Sequence, residues 1–443
     1  MKIELSGHFD NRRIIRSVIP SILMMLVVSV YSIVDGLFVS IFAGTTAFAA
    51  VNLVMPNLMI TGSLGVMIGT GGSALISKTM GEGDVDNANR IFSMLIQFAL
   101  FASVLLTILI YFFLPSIVRW MGSDEAMFQP CVTYGRLCLL AMPAFVLQMA
   151  FHSLFMTAEK PQIGTTLSIV CGVVNIIGDA IFVGLFRWGV IGAAIATGIA
   201  QIVGGFFPIY YFLSHNNTSS LKLVYSRLEW KHIGKACLNG VSEYVGNIAF
   251  SVVCMGYNFQ LMRHVGQMGV SAYGVIMYVG MIFCSCFIGY NIGITPIIGY
   301  HYGAKNHNEM HNLLVRSFLL TFLLGLLILV VCEITASFTT RIFVGYDAEL
   351  FSFTTKAYRI YVFSFLLCGV NMFVSALFTS LNNGLISAVA AICRSLVFEL
   401  GCVFVIPMIF GIDGIWMAVN VAEFLTCILC VGLVLTFRKR YGY

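Results

Sequence analysis

Two carboxylates stand in segments that are otherwise hydrocarbon: Asp35 in VYSIVDGLFVS and Asp179 in VCGVVNIIGDAIFVG. A carboxylate in a bilayer core costs roughly 2.5–3.5 kcal/mol on insertion scales, so each is expected to face protein or water and to work there. Around Asp179, the residues Thr165, Ser168, Gly172, Asn175 and Asp179 recur at steps of three and four. That spacing places all five on one helical face. Asp35 shares a face with Ser32, Met25 and Ser21, and Pro20 precedes them, where a missing backbone donor permits a bend. Asp35, Asp179 and Thr197 each fall about six or seven residues from the same end of their segments, roughly 10 Å deep at 1.5 Å per residue. Three polar groups at one depth predict one buried site; the alternative is that each caps or holds helices together separately. Two acids close together in low dielectric resist double ionisation.

A second polar set lies in the latter half. Asn239, Glu243, Asn247, Ser251 and Asn258 follow helical spacing, and Arg394, Glu399 and Glu423 fall inside apolar runs, with Asn420 three residues before Glu423. Either acid could pair with Arg394. No His, Cys, Asp or Glu set has metal-site spacing, and the thirteen Cys read as small apolar packing residues. Gly69–Gly72 lacks the preceding strand and the Lys-Ser/Thr of a phosphate loop. No nucleophile–base pair stands out, so the reading is not an enzyme, with no cofactor and no nucleic-acid partner.

The elements that position these groups follow from composition. The chain has 443 residues, is 59% hydrophobic and 10% charged, and has a mean hydropathy of +0.95. That leaves too little polar side chain to cover a soluble surface. The apolar runs are about 20 residues or longer, which selects helices over barrel strands. Twelve spans are expected, at about 14–41, 49–77, 91–113, 132–157, 164–186, 190–213, 233–261, 270–299, 312–334, 357–380, 386–409 and 413–436. The polar start, MKIELSGHFDNRRIIRS, does not read as a signal peptide. Most Lys and Arg fall on the side of the membrane that holds both termini, among them Arg12, Arg13, Arg16, Lys78, Lys222, Lys305 and Arg438. By the positive-inside rule both termini are cytoplasmic, in a multi-pass protein of the cell inner (plasma) membrane.

The longest polar interval, in 214–232, divides the chain into six spans on each side: 1–213, a cytoplasmic linker, and 233–443. Gly69-Thr-Gly-Gly-Ser and Met80-Gly81 in the first half line up with Asn291-Ile-Gly-Ile-Thr and Tyr302-Gly303 in the second, about 222 residues on. The expected fold class is an all-α polytopic membrane protein, twelve transmembrane helices in two six-helix bundles related by pseudo-two-fold symmetry.

The chain resembles the multidrug and toxic compound extrusion (MATE) family, in its DinF-like branch. The residues that carry the resemblance are Pro20 with Val34-Asp35-Gly36, the Gly-rich end of span 2, Lys160-Pro161, Val174-Asn175-Ile176 with Asp179, Gly192 to Thr197, Arg394, and Gly411 to Trp416 leading to Glu423. It implies a secondary active multidrug efflux antiporter exporting amphipathic, often cationic compounds in exchange for H+ or Na+. It further implies that Asp35, Asn175, Asp179 and Thr197 form the cation-coupling site, with Pro20 as the bend of helix 1. Two features depart from the branch: Glu399 stands where an apolar residue is usual, and the span-7 stripe is rich in Asn. The small-molecule substrates and the bilayer are the expected partners, and the protein is expected to act as a monomer. Two other readings compete. A lipid-linked oligosaccharide flippase would need basic groups in its cavity, where acids outnumber Arg394. A non-transporting membrane receptor or scaffold would be expected to carry an extramembrane domain, and none is evident in the sequence.

Overall fold

The computed structural model describes residues 4–123 and 125–443, without the side chains of 45, 46 and 48. Every element positioned for the site is helical. In chain order they are α1 (Asn11–Ala43), α2 (Thr45–Gly81), α3 (Val85–Trp120), α4 (Glu125–Thr157), α5 (Pro161–Leu185) and α6 (Val190–Leu213). Then come α7 (Trp230–His264), α8 (Gln267–Gly303), α9 (His307–Val344), α10 (Ala348–Ser380), α11 (Gly384–Val405) and α12 (Pro407–Tyr441). Among the described residues, eleven helices are long and apolar enough to cross a membrane. The other one is α7, whose length of 35 residues suffices but whose polar stripe lowers its hydropathy. Twelve helices therefore match the expected spans, and most run longer than the apolar stretches predict. Polar side chains beyond the apolar core start several of them: Asp10 accepts from Arg13 N at 2.7 Å, Asp84 from Asn87 N at 3.0 Å, and Asn306 from Glu309 N at 3.1 Å. Each satisfies a backbone donor that the first helical turn leaves free. Asp84 and Asn306 stand one repeat apart in the two halves.

Within the first half, α4 packs on α2, α3 and α6, and α5 packs on α1 and α6. The second half repeats the scheme, with α10 on α8 and α9 and α11 on α7. The halves meet through α2 on α7, α1 on α8, and α2 on α8. The meeting is backbone on backbone. A Cβ on Gly71 would overlap the Ala236 carbonyl oxygen, and one on Gly240 would overlap the Met67 carbonyl oxygen. Nearer the terminus-bearing face, Gly81 is seated on the Tyr300 carbonyl oxygen and Gly303 on that of Lys78. Only residues without side chains permit so close a crossing.

The same face is strapped by the N-terminal segment. Leu5 N donates to Glu159 Oε1 (3.0 Å) at the end of α4, while Phe9 N donates to Glu309 Oε1 (2.8 Å) in α9. His8 Nδ1 lies 2.8 Å from Glu309 Oε2, Asn312 Nδ2 donates to Phe9 O at 2.8 Å, and Arg316 Nη1 donates to Asn11 Oδ1 at 2.6 Å. Arg13 ties the segment to itself by donating to the carbonyls of Glu4, Ser6 and His8. Leu5 and Phe9 are buried beneath. The chain between α6 and α7 lies along α3, with Lys222 N on Asn89 Oδ1 and Val224 N on Ser93 Oγ, both at 2.8 Å.

Candidate functional site

The polar face of α5 is the face that packs on α1. Thr165 Oγ1 donates to the carbonyl of Pro20 at 2.7 Å, and Gly172 lies under the ring of Tyr31. Helix α1 continues without a break through Pro20. Toward the far end, α5 widens. Phe186 N bonds Ile181 O at 2.8 Å, a five-residue step, in a π-helical turn that begins at Asp179. Such turns displace a side chain from the regular helical face and recur at functional sites. A similar turn, Val39–Ala43, follows Asp35 in α1.

The structure brings Asp35, Asn175, Asp179 and Thr197 together. Asn175 Nδ2 lies 3.4 Å from Thr197 Oγ1. The Asp35 side chain faces those of Asp179 and Asn175 at hydrogen-bonding range. Asp179 is 0% exposed and Asp35 5%. Oδ1 of Asp35 and both carboxylate oxygens of Asp179 have no donor among the described residues. Buried carboxylate oxygens without a donor are costly unless a proton or a cation neutralises them.

Asp35, Asn175 and Thr197 line a cavity of about 60 Å³ inside the first bundle, and Asp179 sits behind them. Sequence reasoning passed over much of the lining: Tyr31, Tyr134, Gln148, Gln201, Met55 and Met59. One signal was available, since Tyr31 precedes Asp35 by four residues and so shares its face. The buried hydroxyl of Tyr134 has no hydrogen-bond partner among the described residues. Among the described residues no Lys or Arg lines this cavity.

In the second bundle the polar residues separate into different roles. Arg394 donates to Glu423 Oε1 from Nε at 2.9 Å and from Nη2 at 2.6 Å, and Asn371 Nδ2 donates to Glu423 Oε2 at 2.6 Å. Glu423, not Glu399, is the ion-pair partner of Arg394. Asn239 Nδ2 donates to Asn382 Oδ1 at 2.7 Å, and Asn382 Nδ2 reaches Ala74 O of α2 at 3.1 Å, so Asn239 joins the two halves. Asn247 is exposed and donates to the Glu243 carbonyl on its own helix. Asn420 donates to Ile360 O at 2.7 Å. Glu243 is only partly buried and stands apart from the Asp35–Asp179 site. Among the described residues no three His, Cys, Asp or Glu group as a metal site would need.

A family model described as MatE matches residues 20–181 and again residues 243–405, once in each half. The multidrug export protein MepA of Staphylococcus saprophyticus is 22% identical over 447 residues, spanning 99% of this chain and 98% of the relative. MepA of Staphylococcus haemolyticus is 21% identical over 449 residues, spanning 99% and 97%. Among solved structures, an outward-facing multidrug resistance MATE family transporter of the MOP superfamily superposes with a TM-score of 0.92 at 22% identity, over 99% of this chain and 97% of that one. A MOP superfamily transporter from Pyrococcus furiosus, described as having a binding pocket of reversed polarity, superposes with a TM-score of 0.90 at 22% identity over the same shares.

Proposed function

The chain belongs to the MatE family, and from that premise we propose how it works as a secondary active antiporter for multidrug efflux. It is a multi-pass membrane transporter and not an enzyme. Asp35 and Asp179 carry the coupling cation, H+ or Na+, with Asn175 and Thr197 as its polar neighbours. The observation that supports this most is the meeting of two carboxylates, three of whose oxygens have no donor among the described residues, with one of the acids on the wall of a cavity. At hydrogen-bonding separation two like charges repel by roughly 5 kcal/mol at an effective dielectric of 20, so the doubly ionised empty site is the least stable state. A captured cation removes that repulsion and lets α1 settle against α5. Releasing it restores the repulsion. Pro20 gives α1 a point of flexure, since its ring removes one backbone bond there.

Both termini lie in the cytoplasm of the plasma membrane on this reading, and the strapped, glycine-seated face is the cytoplasmic gate in its closed state. The cavity then awaits cation from outside. Transport requires that cation and drug prefer different states of the gate, each shifting the equilibrium by its differential affinity. One chain holds both bundles and the cavity, so the working unit is the monomer, with residues 1–213 and 233–443 as the moving bodies and 214–232 as their linker. The lack of any Lys or Arg among the described residues of the cavity wall speaks against an anionic pyrophosphate cargo.

Ethidium efflux from proteoliposomes, with pH and Na+ gradients imposed separately, tests the proposal. Asp35→Asn should abolish the gradient-driven component while the protein still inserts and purifies as wild type does. Undiminished efflux from that variant would refute the assignment.

A further inference from the structure

Two stretches of chain lead into the bundles, and each crosses to the other bundle. The chain before α7 lies on α3, with Lys222 N on Asn89 Oδ1, Val224 N on Ser93 Oγ, and Glu229 N donating to Met94 Sδ at 3.1 Å. The chain before α1 lies on α9, where Glu309 takes the main-chain N–H of Phe9 and Asn312 donates to its carbonyl. Helices α3 and α9 begin at Val85 and His307, one repeat of 222 residues apart. The two straps are counterparts, but they are held differently. The chain between α6 and α7 joins the bundles by covalent bonds. The chain before α1 holds the second bundle by hydrogen bonds and packing.

This N-terminal strap has an anchor on each bundle. Leu5 N donates to Glu159 Oε1 at the end of α4, and Phe9 N donates to Glu309 Oε1 in α9. Both acids are buried, as are the side chains of Leu5 and Phe9. From Leu5 to Phe9 the chain spans at most roughly 14 Å when fully extended. A movement that draws Glu159 away from Glu309 beyond that reach must break one anchor. The strap also covers His301 at the end of α8. The Phe9 ring meets His301 edge-on at 5.9 Å, and His301 is 2% exposed. Neither ring nitrogen makes a well-formed hydrogen bond, although the Leu5 main chain lies close by. A buried polar ring left unmet is a cost that water removes once the strap lifts. The strap is therefore held by a few bonds against a cost of its own, as a releasable closure needs to be.

We propose that residues 4–10 form an autoinhibitory latch: they hold the two bundles together across the terminus-bearing face, and their release from one anchor is a required step in opening it. The inference rests on the export reading above, because the face it restrains is the gate of that function.

The test uses the full-length protein in nanodiscs and reads the seam itself rather than the strap. Ser77, 0% exposed, sits against Gly299 across the contact of α2 with α8. Alkylation of Ser77→Cys by N-ethylmaleimide, followed by peptide mass spectrometry, reports opening there. The native Cys332 in α9, also 0% exposed, reports general loosening. Glu159→Ala and Glu309→Ala should each speed alkylation at position 77 by about tenfold, as loss of a hydrogen bond to a charged group implies, and leave Cys332 unreacted. Glu159→Gln, which keeps an acceptor for Leu5 N, should stay close to wild type. The two anchors lie in different bundles, so either Ala variant serves if the other does not fold. Unchanged seam alkylation while amide exchange in residues 4–10 accelerates would overturn the latch and leave the strap a mere cover. Equal acceleration at Cys332 would overturn it too, as a general loss of stability. Failure of wild-type proteoliposomes to export ethidium under any gradient would sink the export reading, with the seam rates still deciding whether the face is latched. Intact export with seam rates indifferent to both anchors would sink the latch alone.

Discussion

Replacing Glu423 by Gln keeps the volume of the side chain and removes its charge. In the structure Glu423 Oε1 takes two donors from Arg394 and Oε2 takes one from Asn371. The acid is 3% exposed and the Arg394 side chain 24% exposed. Breaking such a buried pair from one side costs roughly 3–5 kcal/mol, most of it for stranding the remaining charge. Arg394 keeps some access to solvent, so the lower end applies, about 3 kcal/mol. For a folding unit the size of one bundle, that corresponds to a fall in Tm of roughly 6–12 °C. Thermal unfolding of the detergent-purified protein, followed by intrinsic fluorescence, measures it. The double variant Arg394→Met with Glu423→Leu strands no charge, and Asn371 retains the Glu423 main-chain oxygen, to which its Nδ2 already donates at 2.8 Å. It should lose clearly less than the single variant. A Glu423→Gln protein that melts with wild type, or a double variant that falls as far as the single one, would refute the reasoning that the pair is a neutralising brace.

Two further outcomes follow from the closed face. Glu309→Ala removes the acceptor of Phe9 N and the partner of His8. Leaving that backbone donor unmet costs about 1–3 kcal/mol, so amide exchange in the N-terminal segment, read by mass spectrometry, should speed up by about tenfold or more while exchange in α4 stays slow. Gly240→Ala sets a methyl against the Met67 carbonyl oxygen. Overpacking of this kind costs typically about 1–3 kcal/mol, so the variant should melt earlier, and Ser77→Cys in the α2–α8 contact should become alkylated faster in its presence.

Much of this architecture was legible because hydrocarbon leaves the chain few options. Apolar runs of spanning length, a polar stripe at steps of three and four, and a repeated Gly motif required only local reading. Helix α7 was legible by its periodicity although its hydropathy falls short, since Asn239, Glu243 and Asn247 stand on an otherwise apolar helix. What escaped was decided across the fold. Glu309 meets Phe9 from 300 positions away, and nothing in MKIELSGHFD points to a buried strap. Both Glu399 and Glu423 could have taken Arg394 on depth alone. The choice depended on the packing of α12 on α10 and α11, which sets Glu423 between Asn371 and Arg394. Tyr31, Gln148 and Gln201 went unremarked because uncharged polar and aromatic residues are common in spans, where they do not stand out as a carboxylate does.

The two bundles share a plan but differ in how they treat charge, and the difference bears on coupling. In the first, Asp35 and Asp179 face each other with no basic group among the described residues of the cavity wall. In the second, Arg394 neutralises one acid and leaves Glu399 over. On the proposed assignment a small coupling cation belongs to the paired carboxylates of the first bundle. Cation and drug can be exchanged one for the other only if each biases the same movement. The place for that bias is the seam where α1 meets α8 and α2 meets α7, because on that assignment a neutralised Asp35–Asp179 pair would change how α1 lies on α5, and α1 is also the helix that α8 rests on. Antiport would then be a property of the glycine-seated seam, with the paired carboxylates setting its preference.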